Sequence, residues 1–136
     1  MKIILDDESG NPRDYTYERT VGAYNNLIVD ELTIKADGDS GQPYIIKLIE
    51  SDNEVRVMYQ DRNNNPVLAK KNIFGSMLPI LYNLYNKPIV SSSLVYPVYP
   101  NEQRVPETAG KMYKKLLAAG IVWVDHSRDV YYYKSQ

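Results

Sequence analysis

The chain contains no cysteine. Disulfides, thiolate catalysis and cysteine-based zinc sites are therefore excluded. Its single histidine, His126, rules out a metal centre built from several imidazoles. Charge of one sign is also missing. The net charge is −1, so no global field draws the protein to nucleic acid or to an anionic membrane surface. No apolar run reaches the roughly 18 residues of a membrane span. The opening Met1-Lys-Ile-Ile-Leu-Asp-Asp-Glu lacks the long apolar segment of a signal peptide, so the cytoplasm is the expected compartment. Phenylalanine and tryptophan occur once each, against thirteen tyrosines. Tyrosine brings aromatic area together with a hydroxyl that wants a partner. Most of these tyrosines are dispersed and suit half-buried positions; Tyr131 to Tyr133 alone form a run.

A chain of 136 residues suggests one domain over 1–136, long enough to bury a core without staples. Lys2 to Leu5 is a short apolar run that suits a first strand or a docked terminus. Asp6 to Arg13 is a turn or loop, in which three acids in sequence read as a solvated cluster. Tyr15 to Tyr24 is ambiguous, because its first half alternates like a strand and Thr20 to Asn26 could form a helical turn. Leu27 to Lys35 is rich in β-branched residues and reads as a strand. Ala36 to Pro43 is a loop; its two glycines are not followed by the Gly-Lys-Ser/Thr of a phosphate loop. Tyr44 to Glu50 and Glu54 to Asp61 form a hairpin, with Val55, Val57 and Tyr59 expected on one face and Arg56, Met58 and Gln60 on the other. Val67 to Asn86 reads as one helix or two short ones, with Ile73, Met77, Ile80, Leu81 and Leu84 on an apolar side. Pro79 predicts a kink or a helix start.

The second half, Lys87 to Lys134, reads strand, loop, helix, hairpin. Pro106 suits a first helical turn and Glu107 the positive helix end. Met112, Leu116 and Ala119 share a face, Tyr113 and Leu117 lie beside it, and Gly120 supplies the left-handed stop. Ile121-Val-Trp-Val and Val130-Tyr-Tyr-Tyr then flank a polar turn. The expectation is that Trp123, Tyr131 and Tyr133 pack under this helix while Tyr132 points away. The resulting fold class is α/β (α+β): a mixed, largely antiparallel sheet with two main helices.

Ala109, Tyr113, Gly120 and Ile121, closing a helix before a final strand pair, resemble the C-terminal half of GNAT-type N-acetyltransferases, and Lys87-Pro-Ile-Val-Ser-Ser-Ser resembles that family's fifth strand. The nearest flavour is the small, divergent GNAT-like proteins of tailed phages. The resemblance implies two parallel central strands that splay apart. It implies a host-cytoplasmic or virion setting, and acetyl-CoA as cofactor if the enzyme is active. It places Tyr113 as the acid for the leaving thiolate. It places Lys70, Lys71, Gly75 and Ser76 in the turn that would hold the cofactor's pyrophosphate. That turn departs from the family at Asn72 and Phe74, where glycines would help the backbone approach a phosphate. The expected protein is therefore a catalytically silent GNAT-like binding or structural domain with no cofactor. A working N-acetyltransferase and a winged-helix nucleic-acid binder, with Lys111, Lys114 and Lys115 outward, are the alternatives. Glu54, Asp61 and His126 are candidate bases that nothing in the sequence pairs with Tyr113. Ser91-Ser-Ser93 lacks the glycine-framed elbow of a serine nucleophile. Between Leu94 and Pro106, prolines alternate with Tyr96 and Tyr99. These two tyrosines and Tyr132 are the expected surface for a protein partner or for self-assembly.

Overall fold

The computed structural model describes residues 1–69 and 71–135. Eight strands form one sheet: β1 (Lys2–Asp6), β2 (Pro12–Tyr24), β3 (Leu27–Ala36), β4 (Tyr44–Glu50), β5 (Val55–Asp61), β6 (Ile89–Val90), β7 (Trp123–Asp125) and β8 (Val130–Tyr133). Their order is β1-β2-β3-β4-β5-β6-β8-β7. All neighbours run antiparallel except β5 and β6, which are parallel. Two α-helices complete the fold, α1 (Ile73–Tyr85) and α2 (Lys111–Ala118). A 3-10 turn at Pro66–Leu68 precedes the first, and a π-helical turn at Pro106–Gly110 leads into the second. The protein is thus α+β, with a largely antiparallel sheet and two helices. Among the described residues no helix is long and apolar enough to cross a membrane.

The ambiguous Tyr15 to Tyr24 segment is strand throughout. Asn25 and Asn26 both have positive φ, 46° and 68°, which gives a two-residue hairpin whose twist matches its strands. Side chains of Leu5, Tyr15, Tyr17, Leu32, Ile34, Ile46, Leu48, Val55 and Val57 line one face of the sheet, and both helices cover that face. The opposite face carries Glu18, Thr33, Lys35 and a Lys47–Glu31 ion pair of 3.7 Å.

Helix α1 starts at Ile73 and runs through Pro79 rather than starting there. The missing Pro79 N–H leaves the Gly75 carbonyl without its i+4 donor. The buried side is Ile73, Phe74, Met77, Leu78, Leu81 and Tyr85; Leu84, expected inside, is exposed. Helix α2 buries Tyr113 and Leu116, whereas Leu117 and Ala119 face solvent. It ends as the sequence predicts. Gly120 adopts φ +75°, its N–H reaches the Leu117 carbonyl, and the Ile121 N–H reaches that of Leu116.

Facial assignments also change in two strands. The β4–β5 register shifts at Lys47/Leu48, where Val57 faces Leu48 and Tyr59 faces Lys47. Met58 is therefore the extra residue of a bulge; Tyr59 leaves the Val55–Val57 face, and Gln60, expected on the opposite face, joins it beside Ile46. Trp123 does not pack under α2. The C-terminal turn of α2 takes up Gly120 and Ile121, so strand β7 begins only at Trp123. Trp123 pairs with Tyr132 and stacks on it, centroids 5.9 Å apart. Tyr131 and Tyr133 do face the helices, against Tyr113 and Tyr82 respectively.

Candidate functional site

Strands β5 and β6 share just two residue pairs, Val55–Ile89 and Arg56–Val90. Past Arg56 and Val90 they part, and the Ser92 hydroxyl bridges the gap by donating to the Val57 carbonyl at 2.6 Å. A cleft of about 530 Å³ opens there. Its walls are the second half of β5, the 103–109 segment and Tyr113, with Tyr24 of the β2–β3 hairpin at its rim.

Tyr113 is 4% exposed. Its ring stacks on Tyr131 at 5.1 Å and meets the edge of Phe74 at 5.6 Å. Its hydroxyl is buried without a hydrogen-bond partner among the described residues. Burial pushes its pKa above the ordinary phenol value, with Tyr44 adding to the rise, so the group holds its proton. The neighbouring Tyr44 hydroxyl is satisfied by Gln60 at 2.7 Å.

The loop that follows β6 is held by two carboxylates, neither singled out by the sequence. Glu102 accepts the Arg56 guanidinium at 2.6 Å and the N–H groups of Ser93, Val98 and Tyr99. Asp129, itself at φ 53°, accepts the N–H groups of Leu94 and Val95, the Ser93 hydroxyl and Arg104. Burial alone would raise the Asp129 pKa, but these bonds from Val95, Arg104, Leu94 and Ser93 outweigh it and hold the carboxyl at about 2. Arg104 also donates to the Ser92 and Asp129 carbonyls and lies 5.0 Å from the Tyr131 ring centroid. Each loop N–H so bonded fixes the chain, and Leu94, Val95, Tyr96 and Val98 project apolar side chains into solvent. Tyr99 is half-buried in the same loop. Tyr132 is elsewhere, half-buried against Trp123.

The start of α1 is filled by the protein itself. Asn72 adopts the left-handed conformation, φ 52°, and its side-chain oxygen occupies the space that a Cβ on Gly75 would need. Leu116 stands 2.8 Å from the same position, so the missing side chain of Gly75 serves the α1–α2 contact. The Ser76 hydroxyl donates to the Asp6 carbonyl at 2.8 Å. Lys71 lines a second cavity of about 330 Å³ with Arg62, Met112 and Lys115, the last paired to Glu8 at 3.0 Å. Lys70 lies outside the described residues. Of the candidate bases only Asp61 shares the central cleft with Tyr113, and it accepts the Tyr59 hydroxyl at 2.9 Å; Glu54 is taken by Arg56 and Arg128, and His126 is exposed in the β7–β8 turn.

No family model, curated protein or solved structure matches this chain.

The buried network escaped the sequence because its members are far apart. Arg56, Glu102, Arg104 and Asp129 show no local pattern, and charged residues are ordinarily read as solvated. The available signal was the lone Glu102 in a Pro- and Tyr-rich stretch.

Proposed function

We propose that the protein is a catalytically silent GNAT-like domain that works by binding, through its central cleft and the rigid 94–99 loop. The splayed parallel pair β5–β6, with helix, strand, helix and hairpin after it, supports the GNAT-like part of this reading. The observation that carries the silent part is the start of α1. A pyrophosphate held there needs free backbone N–H groups and open space. Asn72, Leu116 and the Ser76–Asp6 bond fill that space, and Phe74 is buried in the core. These residues do not fit acetyl-CoA. Titration calorimetry with acetyl-CoA at roughly tens of micromolar is expected to show no heat. A micromolar dissociation constant, abolished by Gly75→Arg, would restore the enzyme.

One observation favours that second reading: the unpartnered Tyr113 hydroxyl beside the cleft. The winged-helix alternative draws no such support, since its wing, β7–β8, is tied into the sheet through β6. The exposed apolar loop residues support a protein partner, in a phage accessory or virion setting as the resemblance implies.

A further inference from the structure

We infer that β1 is a self-complementary sheet edge and that two copies of this chain join along it. This goes beyond the reading above and does not depend on the cleft. β1 is the first strand of the sheet and pairs only with β2. Met1 exchanges both backbone bonds with Tyr17, so by alternation Lys2, Ile4 and Asp6 aim their N–H and C=O groups away from the sheet. The Asp6 carbonyl does point outward, to Ser76. Its second lone pair remains available.

The side chains make the pairing specific. Lys2 and Asp6 are exposed on one face, with Ile4, 66% exposed, between them; the Lys2 ammonium pairs with Asp37 of its own chain at 2.7 Å, and its other two N–H donors are left for a partner strand. Antiparallel pairing centred on Ile4 sets Lys2 of each copy opposite Asp6 of the other, and Ile4 opposite Ile4. On the core face it sets Ile3 opposite Leu5, closing the open end of the apolar layer. Parallel or shifted registers lose both charge pairs. Native edges are commonly protected by charges that repel a second strand; here the two charges are of opposite sign at opposite ends, and the two-fold turns them into attraction. The other sheet edge, β7, is only three residues long and offers much less.

Sedimentation equilibrium of the full chain over a concentration series tests this. A monomer–dimer equilibrium is expected. Ile4→Pro removes an outward N–H and leaves the β1–β2 bonds intact, so it should return the mass to that of the monomer. In an Asp37→Asn background, which removes the intrachain partner of Lys2, Lys2→Asp or Asp6→Lys alone should weaken the dimer by about tenfold or more, and the two together should restore it. Thermal unfolding verifies that each variant is folded. A chain that stays monomeric throughout the series overturns the inference. So does a dimer that Ile4→Pro leaves unchanged, or one that the double charge exchange fails to rescue.

Discussion

Asparagine does much of the conformational work that glycine does elsewhere. Asn25, Asn26, Asn63, Asn64, Asn72, Asn86 and Asn101 all adopt positive φ, where most side chains are strained. At Asn86, the stop of α1, φ is 55°. Asn86→Ala is expected to cost about 1 kcal/mol by chemical denaturation, and Asn86→Gly almost nothing. Asn-Asn is a weaker hairpin signal than Asn-Gly, which is why the β2–β3 turn was not legible in the sequence. Tyr113 makes a second case. Its hydroxyl is buried without a partner, so Tyr113→Phe should leave the melting temperature unchanged or raise it. A third case is Asp129, whose folded pKa of about 2 lies below its unfolded value near 4. A depressed carboxyl stabilises the fold above the unfolded pKa, and that contribution disappears as pH falls through the folded one. Unfolding free energy should therefore drop between about pH 4 and pH 2, and Asp129→Asn should flatten that part of the profile.

At the scale of elements, the strands were legible wherever β-branched residues alternate, as in β3 and the β4–β5 hairpin, and α2 was legible from Pro106 to Gly120. Two details were not. No glycine or proline marks the Met58 bulge, so Tyr59 could not be placed on its true face. Helix capping by Gly120 and Ile121 shifted where β7 begins, which moved Trp123 from the core to the outer face beside Tyr132. Iodide should consequently reach Trp123 in the folded protein, measured by fluorescence quenching. Of the two acids that hold the loop between β6 and α2, Glu102 is the more deeply buried. Removing it with Glu102→Ala leaves the Arg56 guanidinium, itself 2% exposed, with Glu54 as its remaining carboxylate partner, and frees three N–H groups. Breaking a buried ion pair this way is expected to cost about 3–5 kcal/mol, read from urea unfolding. Tyr96→Ala, on the exposed crest of the same loop, should leave that measurement unchanged.

For the whole molecule, the order of elements in the second half was legible and the candidate site was legible only in part. Tyr113 does line the central cleft, while Gly75 and Ser76 hold the protein's own parts together and Tyr132 faces tryptophan. The joint between β5 and β6 has a mechanical meaning. The sheet consists of a five-stranded ribbon and a three-stranded one, stitched by two residue pairs, with Arg56 fastened across the seam to Glu102 on the far side. Those two pairs, the Ser92–Val57 bond and the Arg56–Glu102 pair tie the seam, which makes it a narrow joint of the sheet. Amide protons of β6 should then exchange with deuterated solvent faster than those at the centre of β3 and β4, through openings far smaller than global unfolding. The cleft opens where these ties end, so the free margins of the two ribbons are its two sides.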